Sequence, residues 1–226
     1  MAHPPMSRTD SQAETRRNLL DAAEQLFECE GFHRTSVGAI AKEAGYTTGA
    51  IYSNFPRKED LAVAVLDRSL QADWDSLLVE LGARADFEDR LVAVIEWRQR
   101  LLVKSEPLGI LRLELWLYSL RDAQLRADLV AGQRHLQSSF AGLLAQQAAD
   151  LGCTLVVGAE LLSSALLASA DGTAVANGLD PESHQSEAFA WTLATLVVAS
   201  MQPRPIRPEA WPAFLERLLD VARTPL

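Results

Sequence analysis

The sequence predicts an all-α fold, and three observations lead to that class. Apolar residues recur at spacings of three and four along most of the 226-residue chain, as in helices with one buried face. Glycines and prolines interrupt this pattern at intervals, as expected where one helix ends and the next begins. We find no segment in which apolar and polar residues alternate, which is the pattern of a half-buried strand.

The first predicted helix covers residues 9–30. Five apolar residues within it follow the spacing of a buried stripe, namely Leu19, Leu20, Ala23, Leu26 and Phe27. Gly31 is placed to end this helix, and Phe32 can fold back against the stripe.

Residues 33–62 predict two short helices joined by a glycine turn at Gly45. Thr35 and Thr47 are each suited to cap one of these helices, because a hydroxyl can accept an orphaned backbone N–H. The apolar positions are Val37, Ile40, Ala41 and Ala44 in the first helix, with Ile51 and Phe55 in the second. This arrangement is a helix-turn-helix, in which the second helix enters the major groove of DNA.

The rest of the chain predicts seven longer helices. Their expected ranges are 58–83, 87–104, 109–120, 123–151, 155–177, 182–201 and 208–223. Gly82, Pro107 and Gly152 supply three of the breaks between them, and further glycines and prolines supply the others. This part of the chain is therefore also expected to be all-α.

The formal net charge of −9 is unfavourable for a protein that binds nucleic acid, since phosphates need cations. The charge is unevenly distributed, however. Residues 33–58 carry four basic residues against one acidic residue, a net charge of +3: Arg34, Lys42, Arg57 and Lys58 against Glu43. The asymmetry is typical of a small DNA-reading head on an acidic body, and predicts weak nonspecific DNA binding.

Two stretches, ETRRNLLDAAEQLFECEGFHRTSV and IAKEAGYTTGAIYSNFPRKEDL, resemble the N-terminal domain of the TetR family of bacterial transcriptional regulators over roughly residues 14–62. One departure is Thr48, which stands where many members carry a basic residue. The resemblance implies a DNA-binding domain at residues 1–62 and a helical ligand-sensing and dimerisation domain at residues 63–226. It also implies a repressor that a small molecule releases from a palindromic operator.

Ten residues form the predicted DNA-binding set: Thr35, Tyr46, Thr47, Thr48, Gly49, Ala50, Tyr52, Ser53, Arg57 and Lys58. Hydroxyls and methyls on the recognition helix can meet base edges. The resemblance makes Tyr52 a phosphate contact, and the basic pair is expected to position the backbone. Gly49 either lets the backbone approach DNA closely or serves a contact between helices. Arg8, Arg16 and Arg17 belong either to an arm that reaches the minor groove or to a frayed terminus.

Aromatic residues gather in the middle of the chain, and a pocket needs an apolar lining with a few polar groups. The predicted ligand-binding set is Trp97, Arg100, Glu114, Trp116, Tyr118, Phe140 and Asp171. A cationic ligand would be attracted by Glu114 or Asp171. Ordinary core packing of the aromatics, and a salt bridge at Glu114, are the alternatives.

We expect a homodimer, formed through the apolar helices near residues 155–177 and 182–201 as in the resembled family, because two linked heads read a palindrome.

The first ten residues lack the apolar run of a signal peptide, and residues 154–170 fall short of a membrane span, which predicts a cytoplasmic protein. Catalytic and cofactor-binding motifs are not found, and Cys29, Cys153 and the histidines have no metal-ligand spacing. We therefore expect no enzyme, no cofactor and no metal. A helical dimeric interaction protein with a degenerate DNA-reading head is the alternative function.

Overall fold

The computed structural model describes residues 8–104, 106–180 and 182–224, and this part of the chain is almost entirely helical. The elements are α1 (Arg8–Glu30), α2 (Val37–Glu43), α3 (Thr48–Asn54), α4 (Lys58–Gly82), α5 (Phe87–Lys104), α6 (Glu106–Ser119), α7 (Ala123–Asp150), β1 (Thr154–Leu155), α8 (Ala159–Leu179), α9 (Gln185–Ser200), β2 (Met201–Gln202) and α10 (Trp211–Arg223). The predicted all-α class is confirmed. Among the described residues, no helix is long and apolar enough to cross a membrane.

The chain divides into two compact units. Unit 1 comprises the described residues of Met1–Ala72 together with Pro107–Val130, and unit 2 comprises those of Asp73–Glu106 and Ala131–Leu226. Helices α4 and α7 therefore each contribute to both units. The functional boundary at residue 62 stays a prediction, since by packing unit 1 also contains nearly all of α6 and the start of α7.

The core of unit 1 joins the helix-turn-helix to α6. Its fully buried side chains include Phe27 of α1, Ile40 of α2 and Ile51 of α3. Leu111 and Leu115 of α6, at 1% and 0% exposure, belong to the same core. Helix α6 thus shares one hydrophobic core with the two short helices, which sequence periodicity alone does not reveal.

Unit 2 is built around α5, α8, α9 and α10. Helix α9 packs against both α8 and α10, and α10 also packs against α5. The buried amide of Gln99 in α5 holds the end of α10, because its Nε2 donates to the carbonyls of residues 221, 222 and 224 at 2.9, 2.9 and 3.2 Å. The last carbonyls of a helix have no following turn to bond, and the N–H of Thr224 satisfies that of Val221 at 3.2 Å. Gln99 therefore adds to the C-terminal cap of α10 from another helix.

The expectation that unit 2 lacks strands was wrong in one place. Thr154 and Leu155 pair antiparallel with Gln202 and Met201, in a two-stranded ribbon that precedes α8 and follows α9. As a result α8 begins at Ala159 rather than near residue 155. Two-residue strands are too short to show an alternating pattern, so periodicity could not find them.

Candidate nucleic-acid interface

The turn between α2 and α3 is fixed by backbone hydrogen bonds around Gly45. The N–H of Gly45 donates to the carbonyl of Lys42 at 3.2 Å, and that of Tyr46 donates to the carbonyl of Ala41 at 2.8 Å. This pair of bonds is a Schellman motif, which needs the residue after the C-cap in the left-handed region. Gly45 has φ of +73°, which a residue with a side chain rarely adopts. The glycine therefore sets the direction in which α3 starts.

The caps of the two short helices partly follow the sequence prediction. Thr47 caps α3 as expected, and its Oγ1 accepts the N–H of Ala50 at 3.2 Å. The prediction that Thr35 caps α2 was wrong, because Ser36 is the cap and accepts the N–H of Ala39 at 3.1 Å. Thr35 is buried, at 1% exposure. Its hydroxyl donates to the carbonyls of residues 31 and 26 at 2.8 and 3.2 Å, where α1 ends.

Helix α3 has a buried face and an exposed face. Ile51 is fully buried, whereas the next residue, Tyr52, is 55% exposed. Thr48, Gly49 and Ser53 are exposed too, and Ala50 is half-buried. The hydroxyl of Ser53 donates to the carbonyl of Ala50 at 2.9 Å, and its oxygen accepts a long bond from the Asn54 amide at 3.5 Å, which leaves one lone pair for an outside donor. The exposed face offers two hydroxyls, a phenol and the backbone at Gly49, which no side chain covers.

Gly49 has no packing reason to be glycine. A Cβ at this position would meet only Oγ1 of Thr47, at 3.6 Å, which is an ordinary van der Waals contact. No neighbouring helix comes within 4 Å of that point in the described structure. The alternative in which Gly49 serves a contact between helices was therefore wrong. The other interpretation, that glycine lets DNA approach the backbone closely, is kept.

Helix α1 holds both ends of the α3 segment, which the sequence analysis did not foresee. At the start, the amide of Asn18 donates to the phenol oxygen of Tyr46 at 3.2 Å. At the end, Arg16 donates to the carbonyl of Asn54 at 3.3 Å, and its guanidinium lies 4.2 Å from the centre of the Phe55 ring. Arg16 is therefore part of the helical scaffold rather than of a flexible arm. The side chain of Arg8 lies outside the described residues.

The amine of Lys58 is used inside unit 1. It donates to the carbonyls of Phe32 and Thr35 at 2.8 and 3.0 Å, and it lies 4.1 Å from the centre of the Phe32 ring. Burial lowers the pKa of this amine, against the opposing charges of Glu59 and Glu114. Lys58 therefore fastens the segment between α1 and α2 to the start of α4, and a phosphate would have to share an amine that is already engaged.

Arg57 is held by carboxylates. Its Nε and Nη2 contact Asp60 at 3.0 and 2.5 Å, its Nη1 contacts Asp122 at 3.3 Å, and its Nη2 lies 3.5 Å from Asp128. The hydrogen bond to Asp60 raises the pKa of Arg57 above its ordinary value. The pKa of Asp122 is lowered, first by the backbone N–H of Leu125 and then by the charge of Arg57.

The positive charge of residues 33–58 is thus less available to DNA than the sequence indicates. Of the four basic residues in this segment, Arg57 and Lys58 are bound within unit 1, and Arg34 donates through Nε to the carbonyl of Glu30 at 2.8 Å. Lys42 is exposed on α2. Asp60 lies only three residues from Arg57, a spacing that the sequence shows, whereas the other partners of Arg57 and Lys58 lie 23 to 71 residues away and left no signal in the sequence.

The predicted ligand-binding residues fall into two groups. Glu114, Trp116 and Tyr118 lie on α6 in unit 1, and the other four lie in unit 2. Glu114 accepts the backbone N–H of Phe32 at 3.0 Å, so its carboxylate already serves the segment between α1 and α2. The Tyr118 ring lies 6.3 Å from that of Phe32, and Arg112 lies 5.2 Å from the centre of the Trp116 ring. Glu114 and Tyr118 thus lie against the segment between α1 and α2.

The unit 2 group is similarly engaged. The indole of Trp97 donates to the carbonyl of Asp73 at 3.1 Å, and the Phe140 ring lies 5.7 Å from that of Trp74. Arg100 is exposed and pairs with Glu80, beside an open surface depression of about 430 Å³. Asp171 is half-buried on α8. A ligand site formed by these residues stays a prediction.

Arg98 is a buried cation that the sequence analysis missed. It is 8% exposed, it donates to the carbonyl of Ala170 at 2.9 Å and to Oγ1 of Thr173 at 2.5 Å, and it lies 4.2 Å from the centre of the Phe189 ring. A signal was present, because Arg98 follows the buried Val94 and Ile95 by four and three residues.

A capped recognition helix, a glycine turn and an exposed polar face together define a helix-turn-helix protein of the DNA-binding class. The family model "Bacterial regulatory proteins, tetR family" matches residues 19–65. The BetI regulator of Vibrio campbellii is 30% identical over 140 residues, which cover 59% of this chain and 70% of that protein. The chain therefore belongs to the TetR family.

Other comparisons agree on the fold. The fatty acid metabolism regulator of Bacillus subtilis is 30% identical over 98 residues, so the chain spans half of that relative's length and the match uses 43% of this chain. The structure of FadR from Bacillus subtilis with stearoyl-CoA has a TM-score of 0.63 at 22% identity, covering 80% of this chain and 97% of that one. A regulator from Saccharomonospora viridis in complex with choline has a TM-score of 0.63 at 22% identity, covering 84% and 98%. At these identities the structures establish a shared fold.

Proposed function

We propose that this protein is a cytoplasmic, homodimeric transcriptional repressor that binds a palindromic operator and leaves it when a small molecule binds. One observation carries the proposal: α3 buries Ile51 completely while it presents Thr48, Tyr52 and Ser53 to solvent. A short helix held in this way from behind, with an exposed polar face, is suited to a major groove. Family membership supports the same function.

The exposed face divides into two roles under this proposal. The methyl and hydroxyl of Thr48 stand at the start of α3, where a recognition helix meets base edges, so Thr48 reads sequence. The phenol of Tyr52 contacts a phosphate, so it contributes to affinity for every duplex. Gly49 brings the α3 backbone close to the DNA.

Selection of bound fragments from the source genome tests the DNA-binding part of the proposal. Purified protein at physiological salt is expected to enrich one palindrome. Tyr52→Ala should weaken binding to the selected fragment and to random duplexes alike. Thr48→Ala should instead change the preferred sequence. Failure of a folded protein to enrich any sequence would favour the interaction-protein alternative, which the internal pairing of Arg57 and Lys58 makes worth testing.

Dimerisation through α8 and α9 is supported by apolar side chains that these helices leave exposed. Leu161 and Leu179 of α8 are 66% and 83% exposed, and Trp191 of α9 is 52% exposed. Burying such side chains against a second copy of the chain lowers the free energy. Leu161→Glu together with Trp191→Glu should give a monomer in sedimentation, whereas Val79→Glu, at a residue that is 74% exposed on α4, should leave the dimer intact. A monomeric wild type would contradict this part of the proposal.

The effector acts by favouring the conformation whose heads are wrongly spaced for the operator. A coupling of about 1 to 3 kcal/mol would lower operator affinity about 5- to 150-fold. Helix α4 is the proposed lever, because it begins beside the recognition helix and continues into unit 2. Stearoyl-CoA and choline, bound by two solved relatives, are the first probes. Release of the selected operator by one of them, but not by the other, would assign the effector class.

A further inference from the structure

Arg57 occupies a site in which carboxylates outnumber cations. Its guanidinium lies within 3.5 Å of Asp60, Asp122 and Asp128, each of which is partly exposed. One positive charge against three negative charges leaves a local net charge of −2. All three nitrogens of the guanidinium contact a carboxylate. A DNA phosphate that approached Arg57 in this arrangement would meet net repulsion, and it would have to compete with three hydrogen bonds that the guanidinium already donates to carboxylates.

The three carboxylates are held in different ways. Asp60 lies three residues beyond Arg57 at the start of α4, and its Oδ2 also accepts the backbone N–H of Arg57 at 3.1 Å. Asp122 and Asp128 come from the α6–α7 segment. Asp122 accepts the N–H of Leu125 at 2.9 Å and thereby caps α7, and Asp128 accepts from Gln124 at 3.0 Å. The segment thus presents two fixed carboxylates to the residue that follows the recognition helix.

We propose that Asp122 and Asp128 are positioning residues that withhold Arg57 from DNA in the released state and give it up on the operator. The inference rests on the proposed function, because it needs an operator-bound state. Arg57 follows α3 by three residues and lies at its C-terminal side, so a phosphate flanking the groove is the competing anion. Any change that strengthens the hold of α7 on Arg57 lowers operator affinity, which gives the effector a second route to release.

A double-mutant cycle tests this proposal. The variants are Asp122→Asn/Asp128→Asn, Arg57→Ala and the triple combination, each titrated with the selected operator at four salt concentrations. Asparagine retains the capping acceptor for α7 and removes only the charge. The Asn pair should bind the operator about 3- to 10-fold more tightly. The slope of log affinity against log salt should steepen by up to about 0.9, as expected for one additional phosphate contact.

The Arg57→Ala background separates the proposal from general charge repulsion. In that background the Asn pair should change operator affinity less than twofold and leave the salt slope unchanged. Equal gains with and without Arg57 would mean that the carboxylates act only by repelling DNA, and would overturn the proposal. Unchanged or weaker binding by the Asn pair in the presence of Arg57 would overturn it as well.

A matched control removes two arginine-paired carboxylates from unit 2. Asp89 pairs with Arg217, and Asp220 pairs with Arg223. The Asp89→Asn/Asp220→Asn variant has the same net charge as the test variant and should bind the operator as the wild type does. If the wild type itself bound no sequence selectively, the proposed function would fail and this inference would fall with it. Selective binding by the wild type keeps the two failures distinct.

Discussion

Replacing Gly49 by alanine should stabilise the protein and weaken its DNA binding at the same time. Glycine within a helix costs about 0.5 to 1 kcal/mol relative to alanine, because the unfolded chain is freer. The structure leaves room for the methyl group, whose nearest neighbour would be Oγ1 of Thr47 at 3.6 Å. Because Gly49 lies in the first turn of α3, a gain up to this size should appear in the free energy of unfolding. For a chain of this size, 1 kcal/mol raises the melting temperature by about 2 to 4 °C.

The loss on DNA has a separate cause. If the α3 backbone lies against the DNA at Gly49, a methyl group must push the helix outward and lengthen the contacts on either side. A loss of about 1.4 kcal/mol corresponds to a tenfold weaker operator affinity, and we expect at least that. Thermal unfolding followed by circular dichroism measures the first effect. Fluorescence anisotropy with the selected operator measures the second.

Gly142→Ala is the matched control for this experiment. Gly142 lies inside α7, and a Cβ there would meet no atom within 4 Å. This variant should be stabilised without any change in operator affinity. If Gly49→Ala unfolded at a lower temperature than the wild type, the packing argument would be wrong. If it were stabilised and still bound the operator normally, the backbone of α3 would not approach DNA at this residue.

Three further substitutions test contacts inside one unit or the other. Thr47→Val keeps the side-chain shape, removes the cap of α3 and should lower the free energy of unfolding by about 1 kcal/mol in denaturant titration; equal stability would contradict the cap. Gln99→Leu removes the side-chain donor from the carbonyls of Ala222 and Thr224, at the end of α10, and should cost about 1 to 3 kcal/mol, with faster hydrogen exchange confined to α10. Uniform exchange across unit 2 would argue against a local cap. Lys58→Met keeps the apolar stem but removes the hydrogen bonds to Phe32 and Thr35. It should therefore destabilise unit 1 by about 1 kcal/mol in addition to weakening DNA binding. Weaker DNA binding at unchanged stability would show that the amine serves DNA alone.

The helix-turn-helix was predictable because its determinants are local. Gly45 must adopt a positive φ, Thr47 must accept an N–H three residues on, and both requirements are visible within a few residues of sequence. The choice between Thr35 and Ser36 as the cap of α2 was less accessible. Two adjacent hydroxyls are chemically equivalent for this purpose, and what separates them is that Thr35 faces the carbonyls at the end of α1.

The charged groups of the site could not be assigned from sequence for the opposite reason. Arg57 and Lys58 look like free cations beside a recognition helix, and a local charge count treats them as such. Asp60 is local in sequence, but their other partners, including Asp122 and the carbonyl of Phe32, are brought to them by the packing of α6, α7 and α1. The split of the predicted ligand residues has the same origin, since nothing in the pattern of α6 indicates that Glu114 bonds to the head.

Hydroxyl-radical footprinting of the selected operator tests the central claim most directly. Two linked heads, each placing α3 in a major groove, should protect two half-sites whose centres lie about 10 base pairs or a multiple of that apart. Thr48→Ala should alter the protection inside each half-site, without moving the half-sites relative to one another. Protection of a single site, or the same weak protection on every duplex, would contradict the account of a dimer that reads a palindrome.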